Sequence, residues 1–228
     1  RTRKEKMTSL FTWRDQSGAP VCVCKNALNL EGCDNIIKQL KDKTEVGTHI
    51  KGDGSVDATD VSKRNSDIAW FNDLDLQTTF RMFVDIANYE CGWRYDIVDC
   101  EQLQFTVYDG TKKQHYGWHT DGQGCHHNAR RSVQFHQPKE VNLQYTPQPN
   151  LLGTVRKMSL SAVLNDDYEG GDLLFRSLGE DSEIKETSIK PNKGDLVIFP
   201  SYIDHKVAPV TKGIRYSVVA WYGGPPFK

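Results

Sequence analysis

The chain has 228 residues, of which 37% are hydrophobic and 26% are charged, and its formal net charge is −1. An aromatic content of 10% is too high for a disordered chain, and the near-neutral charge argues against a dedicated nucleic-acid-binding protein. No apolar run approaches the ~18 residues that a membrane-spanning helix needs. We therefore expect one globular domain, residues 1–228, a monomer or weak dimer that binds neither nucleic acid nor membrane.

The cysteine content and the N-terminal segment indicate the cellular compartment in which the protein acts. Six cysteines in 228 residues are too sparse for a disulfide scaffold, so we expect free thiols and a reducing, cytoplasmic location. The basic residues 1–6 are not followed by the apolar segment of a secretory signal. We expect residues 1–15 to form a tail or a first strand.

Residues 20–95 show the patterns of a helix-rich region. A short strand is predicted at 20–24, followed by a helix that Asn29 caps and that runs to Leu40. The Gly-, Asp- and Ser-rich residues 51–65 indicate a loop, and 66–71 form a short apolar segment. A second helix is predicted over 74–89. Its apolar face consists of Leu76, Phe80, Phe83, Val84 and Ala87.

Residues 96–228 change to short, alternating segments rich in β-branched and aromatic residues. Strands are predicted at 103–108, 116–119, 157–164, 172–175, 195–199, 206–209 and 214–222. Short strands at this spacing are typical of a jelly roll. The predicted fold class is thus α+β, with a double-stranded β-helix (jelly-roll) core and N-terminal helices packed on one side.

A polar insertion, residues 122–156, interrupts these strands. Apolar residues alternate on both sides of Gln137-Pro138, which favours a protruding hairpin. Four basic residues, Arg130, Arg131, Lys139 and Arg156, stand against the single acidic Glu140. Long loops of this kind either serve a function or are merely solvated. The insertion is therefore either a lid that shapes a substrate groove or a hairpin without a role.

The most informative motif is His119-Thr-Asp121. Residues i and i+2 of a strand share a face, so this pattern presents an imidazole and a carboxylate together. On its own this motif is weak evidence for a metal site, because polar residues before a glycine are also common in turns. A third candidate, His205, lies between two apolar strands. Two histidines and one aspartate form the facial triad of non-haem Fe(II) oxygenases.

A second signal is Arg215, which lies within an otherwise apolar strand. A buried arginine is costly unless an anion meets it. Ser217 shares the same strand face, so the guanidinium and the hydroxyl are able to hold one carboxylate together.

Together these residues resemble the Fe(II)/2-oxoglutarate-dependent dioxygenases of the prolyl 4-hydroxylase type. The resemblance is strongest over 108–221, and 64–70 (Arg-Asn-Ser-Asp-Ile-Ala-Trp) adds to it. The matching elements are Tyr108, Tyr116, His119-Thr-Asp121, residues 160–165, Glu169-Gly-Gly-Asp-Leu173, Gly194-Asp195, Phe199-Pro200, His205 and Arg215.

The resemblance implies a role for each of these positions. His119, Asp121 and His205 would bind Fe(II), and Arg215, helped by Ser217, would bind the far carboxylate of 2-oxoglutarate in a pocket lined by Tyr108. Tyr116 and Trp221 match positions that contact the target residue, although aromatic residues on jelly-roll strands more often fill the core.

One departure from the family concerns residues 159–164, which offer only small or aliphatic side chains where some prolyl hydroxylases have a tyrosine. Arg215 and Ser217 would therefore carry more of the anchoring.

The resemblance predicts an enzyme that uses Fe(II), 2-oxoglutarate and O2, with ascorbate as a further candidate cofactor. It would hydroxylate a prolyl residue in a peptide or protein and release succinate and CO2. Two alternatives stay open. The same chemistry would serve another residue or a small molecule, and a jelly roll without activity would serve as a binding module.

Overall fold

The computed structural model describes residues 11–13, 21–47, 49–50, 56–57, 62–122, 151–178 and 183–227, with the backbone alone described at 11–13, 49–50, 56–57 and 178. Most of the predicted insertion lies outside these ranges. Gln137-Pro138, Cys125 and three histidines (His126, His127 and His136) lie outside them as well.

The described part of the chain contains two α-helices and eighteen strands, together with short 3₁₀ helices at Lys41–Lys43 and Gly110–Lys112. The helices are α1 (Leu30–Leu40) and α2 (Leu74–Glu90). The strands are β1 (Phe11–Trp13), β2 (Cys22–Cys24), β3 (Glu45–Val46), β4 (His49–Ile50), β5 (Val56–Asp57), β6 (Arg64–Asn65), β7 (Asp67–Phe71), β8 (Asp99–Cys100), β9 (Leu103–Asp109), β10 (His115–His119), β11 (Val155–Val163), β12 (Glu169–Gly170), β13 (Leu173–Leu178), β14 (Ile184–Ile189), β15 (Leu196–Pro200), β16 (His205–Val207), β17 (Val210–Lys212) and β18 (Ile214–Gly224).

The strands form two main sheets. Over the described ranges, the major sheet has nine strands in the order β1-β2-β15-β11-β18-β9-β7-β3, with β8 also paired to β18. The minor sheet has the order β14-β13-β16-β10-β6. Neighbouring strands are antiparallel, and most pairs join distant parts of the chain, as in a jelly roll. The predicted double-stranded β-helix is confirmed, and residues 20–95 also supply strands to both sheets.

The predicted helices are confirmed as well. The Asn29 side chain accepts hydrogen bonds from the backbone N–H groups of Glu31 and Gly32, as expected of an N-cap. Helix α2 buries Phe80, Val84 and Ala87 completely. These side chains belong to one apolar cluster with the outer face of the major sheet, so both helices cover a single side of the molecule.

Strand β9 shows how one sheet separates two environments. Leu103 and Phe105 point to the helices, whereas Gln104, Thr106 and Tyr108 alternate with them and are also buried. Tyr108 belongs to a second apolar cluster with residues of the minor sheet. The space between the sheets is therefore partly polar, and it contains the predicted site residues.

Local pattern predicts the long strands better than the short ones. The strand predicted over 206–209 ends at Val207, because the chain leaves the minor sheet and resumes as β17 opposite β12. Strand β14 is not predicted, since its residues are mostly exposed and polar. Strands β6 and β5 fall within the predicted loop 51–65.

Two further expectations concern the cysteines and the membrane. The five cysteines that the structure describes are free thiols, as expected. Within the described ranges, neither helix combines the length and the apolar character that a membrane crossing requires.

Candidate metal centre

Three predicted ligands meet where β10 and β16 pair. His119 is the last residue of β10, and His205 is the first residue of β16. The two strands are antiparallel, and their register places His119 opposite His205. Asp121 follows two residues after the end of β10, where its backbone N–H donates to the carbonyl oxygen of Ser201 at 2.9 Å.

The side chains converge closely enough to share one cation. The Asp121 carboxylate lies 3.7 Å from His119 Nε2 through Oδ1 and 3.5 Å from His205 Nε2 through Oδ2. One ligand atom from each of the three residues lies within 4.8 Å of the other two. Among the described residues, this is the one such group of histidine, cysteine and acidic side chains. Two imidazoles and one carboxylate on one face suit Fe(II).

Backbone carbonyls orient both imidazole rings. His119 Nδ1 lies 2.8 Å from the carbonyl oxygen of Gly117, and His205 Nδ1 lies 2.9 Å from that of Ile203. Because a carbonyl only accepts, Nδ1 carries the proton in each ring and donates it. The Nε2 lone pairs are thus left for a metal, as in most metal-binding histidines.

Burial and neighbouring charges favour the protonation states that a metal site needs. Burial and, secondarily, His205 lower the pKa of His119 to about 3, so its imidazole is neutral at neutral pH. Burial alone would raise the pKa of the Asp121 carboxyl, but His205 and His119 outweigh it and hold this pKa below its usual value. The site therefore combines a neutral His119 with an ionised aspartate.

Two serines that the sequence did not single out support Asp121. The Ser159 hydroxyl donates to Asp121 Oδ2 at 2.7 Å and lies 2.9 Å from the Ser201 hydroxyl. Ser159 is fully buried on β11. The sequence does not indicate this role of Ser159, because the hydrogen bond to Asp121 forms only where β11 approaches the end of β10.

We expect Ser159→Ala to weaken metal binding while the protein stays folded. The change removes one hydrogen bond that orients Asp121, and loss of such an outer partner lowers metal affinity about 10- to 100-fold. Titration with Fe(II) under anaerobic conditions measures the effect. Ser161→Ala, two residues along β11, is the matched control. Equal affinities of the two variants would contradict the role of Ser159.

Apolar rings enclose one side of the centre. The Phe199 ring packs edge-on against His205 with centroids 4.6 Å apart, and the Phe175 ring lies 6.1 Å from it. On the other side, the Tyr116 ring stacks on His119 at 3.6 Å. These contacts shield both imidazoles from water and restrict their motion.

Arg215 lies in the same interior between the two sheets, and part of its guanidinium has no hydrogen-bond partner there. It is 1% exposed, and its Nη1 donates to Ser217 Oγ at 3.0 Å. Its Nε and Nη2 are buried and have no hydrogen-bond partner in the described structure. The Tyr108 ring, opposite Arg215 in the strand register, lies 5.5 Å from the guanidinium carbon. A buried cation of this kind needs an anion to offset its desolvation.

Tyr116 and Trp221 lie on opposite walls, and each contacts an arginine. The Arg64 guanidinium carbon lies 4.6 Å from the Tyr116 ring centroid, and that of Arg156 lies 4.2 Å from the Trp221 ring. Arg156 makes two short hydrogen bonds to the carboxylate of Glu101, at 2.6 and 2.8 Å. Glu101 was not a predicted site residue, since a single acidic residue before a strand carries no recognisable signal.

Residues 103–223, just over half of the chain, match the family model of the 2OG-Fe(II) oxygenase superfamily. Among curated proteins, the chain is 33% identical over 73 residues to a PKHD-type hydroxylase of Alteromonas mediterranea, covering 32% of this chain and 30% of that protein. It is 32% identical over 108 residues to a PKHD-type hydroxylase of Xylella fastidiosa, covering 46% of this chain and 38% of that protein. The match thus spans only 30% and 38% of the length of these two relatives.

Solved structures share the fold over most of the chain. One is a viral collagen prolyl hydroxylase from Paramecium Bursaria Chlorella virus-1, with a TM-score of 0.58, 18% identity, and coverage of 91% of this chain and 97% of that one. Another is a prolyl hydroxylase from Trichoplax adhaerens in complex with a peptide of hypoxia inducible factor, with a TM-score of 0.57, 17% identity, and coverage of 91% and 84%.

Proposed function

The chain belongs to the 2OG-Fe(II) oxygenase superfamily, and on that premise we propose that it hydroxylates a prolyl residue in a peptide or protein. In the overall reaction, one oxygen atom of O2 enters a C–H bond of the substrate, and the other enters succinate as 2-oxoglutarate loses CO2. The observation that carries the proposal is the group of His119, Asp121 and His205 in one interior with the unsatisfied guanidinium of Arg215.

The residues present fit the metal and the co-substrate. His119 Nε2, His205 Nε2 and the Asp121 carboxylate would hold Fe(II), because the Nδ1 atoms are engaged and the carboxylate is ionised. The two unpartnered N–H groups of Arg215 match the two oxygens of a carboxylate. Ser217 would support the same carboxylate by orienting the guanidinium. Tyr108 would line that pocket, because its ring faces Arg215.

When bound, Fe(II), 2-oxoglutarate and O2 supply the oxidising chemistry. The chain positions the reactants and keeps the site dry. Phe175 and Phe199 exclude water beside His205. Ser159 holds one carboxylate oxygen of Asp121, which keeps the charged ligand in one orientation.

Gly171, in the Glu-Gly-Gly-Asp segment, gives the Arg215 side chain its path. Its φ is +67°, and a Cβ there would lie 2.9 Å from both Arg215 Cδ and Val210 Cγ2. We expect Gly171→Ala to weaken 2-oxoglutarate binding and to lower the free energy of unfolding by more than the ~1–2 kcal/mol cost of left-handed backbone alone.

The control for this prediction is Gly153→Ala, because Gly153 has φ +74° and no atom within 4 Å of the added Cβ. The Gly153→Ala variant has the same strain of a left-handed backbone, but its added Cβ overlaps with no neighbouring atom. Chemical denaturation and calorimetric titration with 2-oxoglutarate measure both effects. Equal results for the two variants would mean that Arg215 does not depend on Gly171.

The prolyl substrate is the finer part of the proposal. The Tyr116 ring adjoins His119, and the Trp221 side chain lies on the wall formed by β18. A pair of aromatic rings suits a proline ring, which is apolar and rigid. The solved prolyl hydroxylases of similar fold support this choice, and one of them is in complex with a peptide. The basic residues of the insertion would favour acidic neighbours of the target proline.

The remaining parts of the proposal concern partners and location. The free thiols of the described cysteines support a reducing, cytoplasmic compartment. There the protein would act on a peptide as a monomer or weak dimer. Ascorbate, which the resemblance adds to the cofactors, is tested by omitting it from the assay below.

The deciding experiment incubates the protein with Fe(II), 2-oxoglutarate, ascorbate and matched peptides that carry either proline or alanine at one position. Mass spectrometry should locate the added mass of one oxygen atom on the proline alone, with an equivalent of succinate. Turnover of a free amino acid or other small molecule instead would assign the chemistry to that substrate. Absence of 2-oxoglutarate turnover with every substrate would favour a binding module.

A further inference from the structure

A cluster of aromatic side chains lies at the end of the barrel that carries the candidate metal ligands. Tyr202 and Phe227 are 44% and 43% exposed, whereas Tyr95 is half-buried and Lys157 is buried. The Tyr95 and Phe227 rings meet edge-on with centroids 5.5 Å apart, and the Tyr95 hydroxyl donates to the Tyr202 hydroxyl at 3.4 Å. We call these four residues the rim cluster.

The strands that carry the rim cluster place it beyond the metal ligands. Ser159 of β11 lies at the level of Asp121, and Lys157 is two residues nearer the start of that strand. Phe227 follows the end of β18, and Tyr202 lies in the turn between β15 and β16. The rim cluster is therefore separate from the interior in which the candidate ligands meet.

A short series of hydrogen bonds joins the rim cluster to the metal centre. The hydroxyl of Ser201, which precedes Tyr202, lies 2.9 Å from the Ser159 hydroxyl, and the latter donates to Asp121. The Ser201 carbonyl accepts the backbone N–H groups of Asp121 and Gly122, both at 2.9 Å. Because the two places are adjacent, an extended peptide that leaves the pocket would reach Tyr202 within a few residues, at ~3 Å per residue.

The fold holds the rim cluster in place before a ligand binds. The Asn88 side chain accepts from the backbone N–H of Tyr95 and donates to its carbonyl, both at 2.9 Å. The Lys157 ammonium lies 3.2 Å from the Phe227 ring centroid, and the two prolines before Phe227 fix their own backbone φ angles. Rings that are fixed in this way lose little conformational entropy when a ligand packs on them.

The chemistry of the rim cluster suits a proline-rich segment. Such segments form polyproline II helices, whose backbone carbonyls have no internal hydrogen bonds, and they dock on aromatic side chains. The Tyr202 hydroxyl accepts from Tyr95, so its own proton is available to a carbonyl of the ligand. Two exposed rings are too few for a stable interface with a second copy of the chain, which needs about 800 Å² on each partner.

We propose that the rim cluster binds a proline-rich segment of the substrate outside the catalytic pocket. The inference rests on the proposed function for the identity of the substrate and adds a second site to it. Tyr202 and Phe227 would pack against proline rings, while the Tyr202 hydroxyl donates to a backbone carbonyl. Two linked sites bind one polypeptide more tightly than either site alone, so the enzyme would favour target prolines within proline-rich sequences.

The test compares three peptides with the same target proline: a short peptide, one with a proline-rich extension and one with a Gly/Ser extension of equal length. Extensions of about one, two and three turns of polyproline II, at either end of the target, measure the reach. Fluorescence anisotropy with protein that carries Zn(II) and the unreactive analogue N-oxalylglycine gives each dissociation constant. We expect the proline-rich extension to lower this constant at least about tenfold and the Gly/Ser extension to leave it unchanged.

Variants locate the effect on the molecule. Tyr202→Ala and Phe227→Ala should remove most of the gain from the proline-rich extension, and Tyr202→Phe, which keeps the ring, should remove part of it. The gain is the ratio of the constants for the short and the extended peptide in the same variant, so any change at the active site itself cancels. Tyr89→Ala, which removes an exposed ring on α2, is the matched control and should keep the full gain.

The outcomes separate this inference from the proposed function. If the wild-type enzyme hydroxylates the short peptide but the proline-rich extension gives no gain, or the gain survives Tyr202→Ala and Phe227→Ala, the rim site is refuted while the function stands. If no proline peptide is hydroxylated, the proposed function fails, and anisotropy with the proline-rich extension alone decides the rim site. Binding that Tyr202→Ala abolishes would support the rim site, and absence of binding would refute it.

Discussion

Asp121→Ala is expected to yield a folded protein that no longer retains Fe(II). The change removes the one anionic member of the ligand group and leaves only the two imidazoles. Loss of an outer hydrogen-bond partner already lowers metal affinity about 10- to 100-fold, so loss of a charged ligand should exceed ~100-fold. Metal analysis of protein reconstituted under anaerobic conditions, together with 2-oxoglutarate turnover, measures the result.

The fold should tolerate this substitution. Ser159 and Ser201 retain their mutual hydrogen bond, and the backbone N–H of residue 121 still donates to Ser201. Asp166→Ala, which removes an exposed carboxylate, serves as the control and should retain the metal. Stoichiometric Fe(II) in the Asp121→Ala protein would show that the three side chains do not form the metal site.

Arg215→Met is expected to abolish tight 2-oxoglutarate binding without unfolding the protein. Removing one partner of a buried charge pair costs about 2–5 kcal/mol of binding free energy. At ~1.4 kcal/mol for each tenfold change, the dissociation constant should rise about 30- to several-thousand-fold. Calorimetric titration of the Mn(II)-loaded protein with 2-oxoglutarate measures this constant.

Although Arg215→Met should weaken 2-oxoglutarate binding, it should not lower the stability of the ligand-free protein. Arg215 is 1% exposed, and no described residue forms a salt bridge with it. Replacing an uncompensated buried charge with an apolar side chain of similar length is often neutral or stabilising. We therefore expect an unchanged or higher melting temperature. Lys212→Met, which removes an exposed cation on β17, is the control for both measurements. An unchanged 2-oxoglutarate affinity in Arg215→Met would assign the anchoring to another residue.

Together with Ser159→Ala and Gly171→Ala, these variants divide the site into separable parts. Asp121 and Ser159 report on the metal, whereas Arg215 and Gly171 report on the co-substrate carboxylate. A variant that weakens the binding of one of these ligands and spares the other would support separate binding of the metal and the co-substrate.

Much of the fold follows from local pattern. Asn29 predicts the start of α1 because a side-chain oxygen at that position satisfies free backbone N–H groups. The 3.6-residue period of α2 predicts its buried face, and alternation predicts the long strands β9, β11 and β18. His119, Asp121, His205 and Arg215, taken together with the matching segments around them, are enough to establish the family resemblance.

Tertiary structure alone decided how the distant segments meet. No local pattern places His205 opposite His119, because that pairing joins strands far apart in the chain. The support of Asp121 by Ser159 and the contact of Glu101 with Arg156 depend on the same long-range pairing. The short strands β6, β8 and β12 also escape prediction, since two residues carry no periodicity. The sequence thus predicted the side chains of the candidate metal and co-substrate site, and sheet pairing determined which of them share one interior.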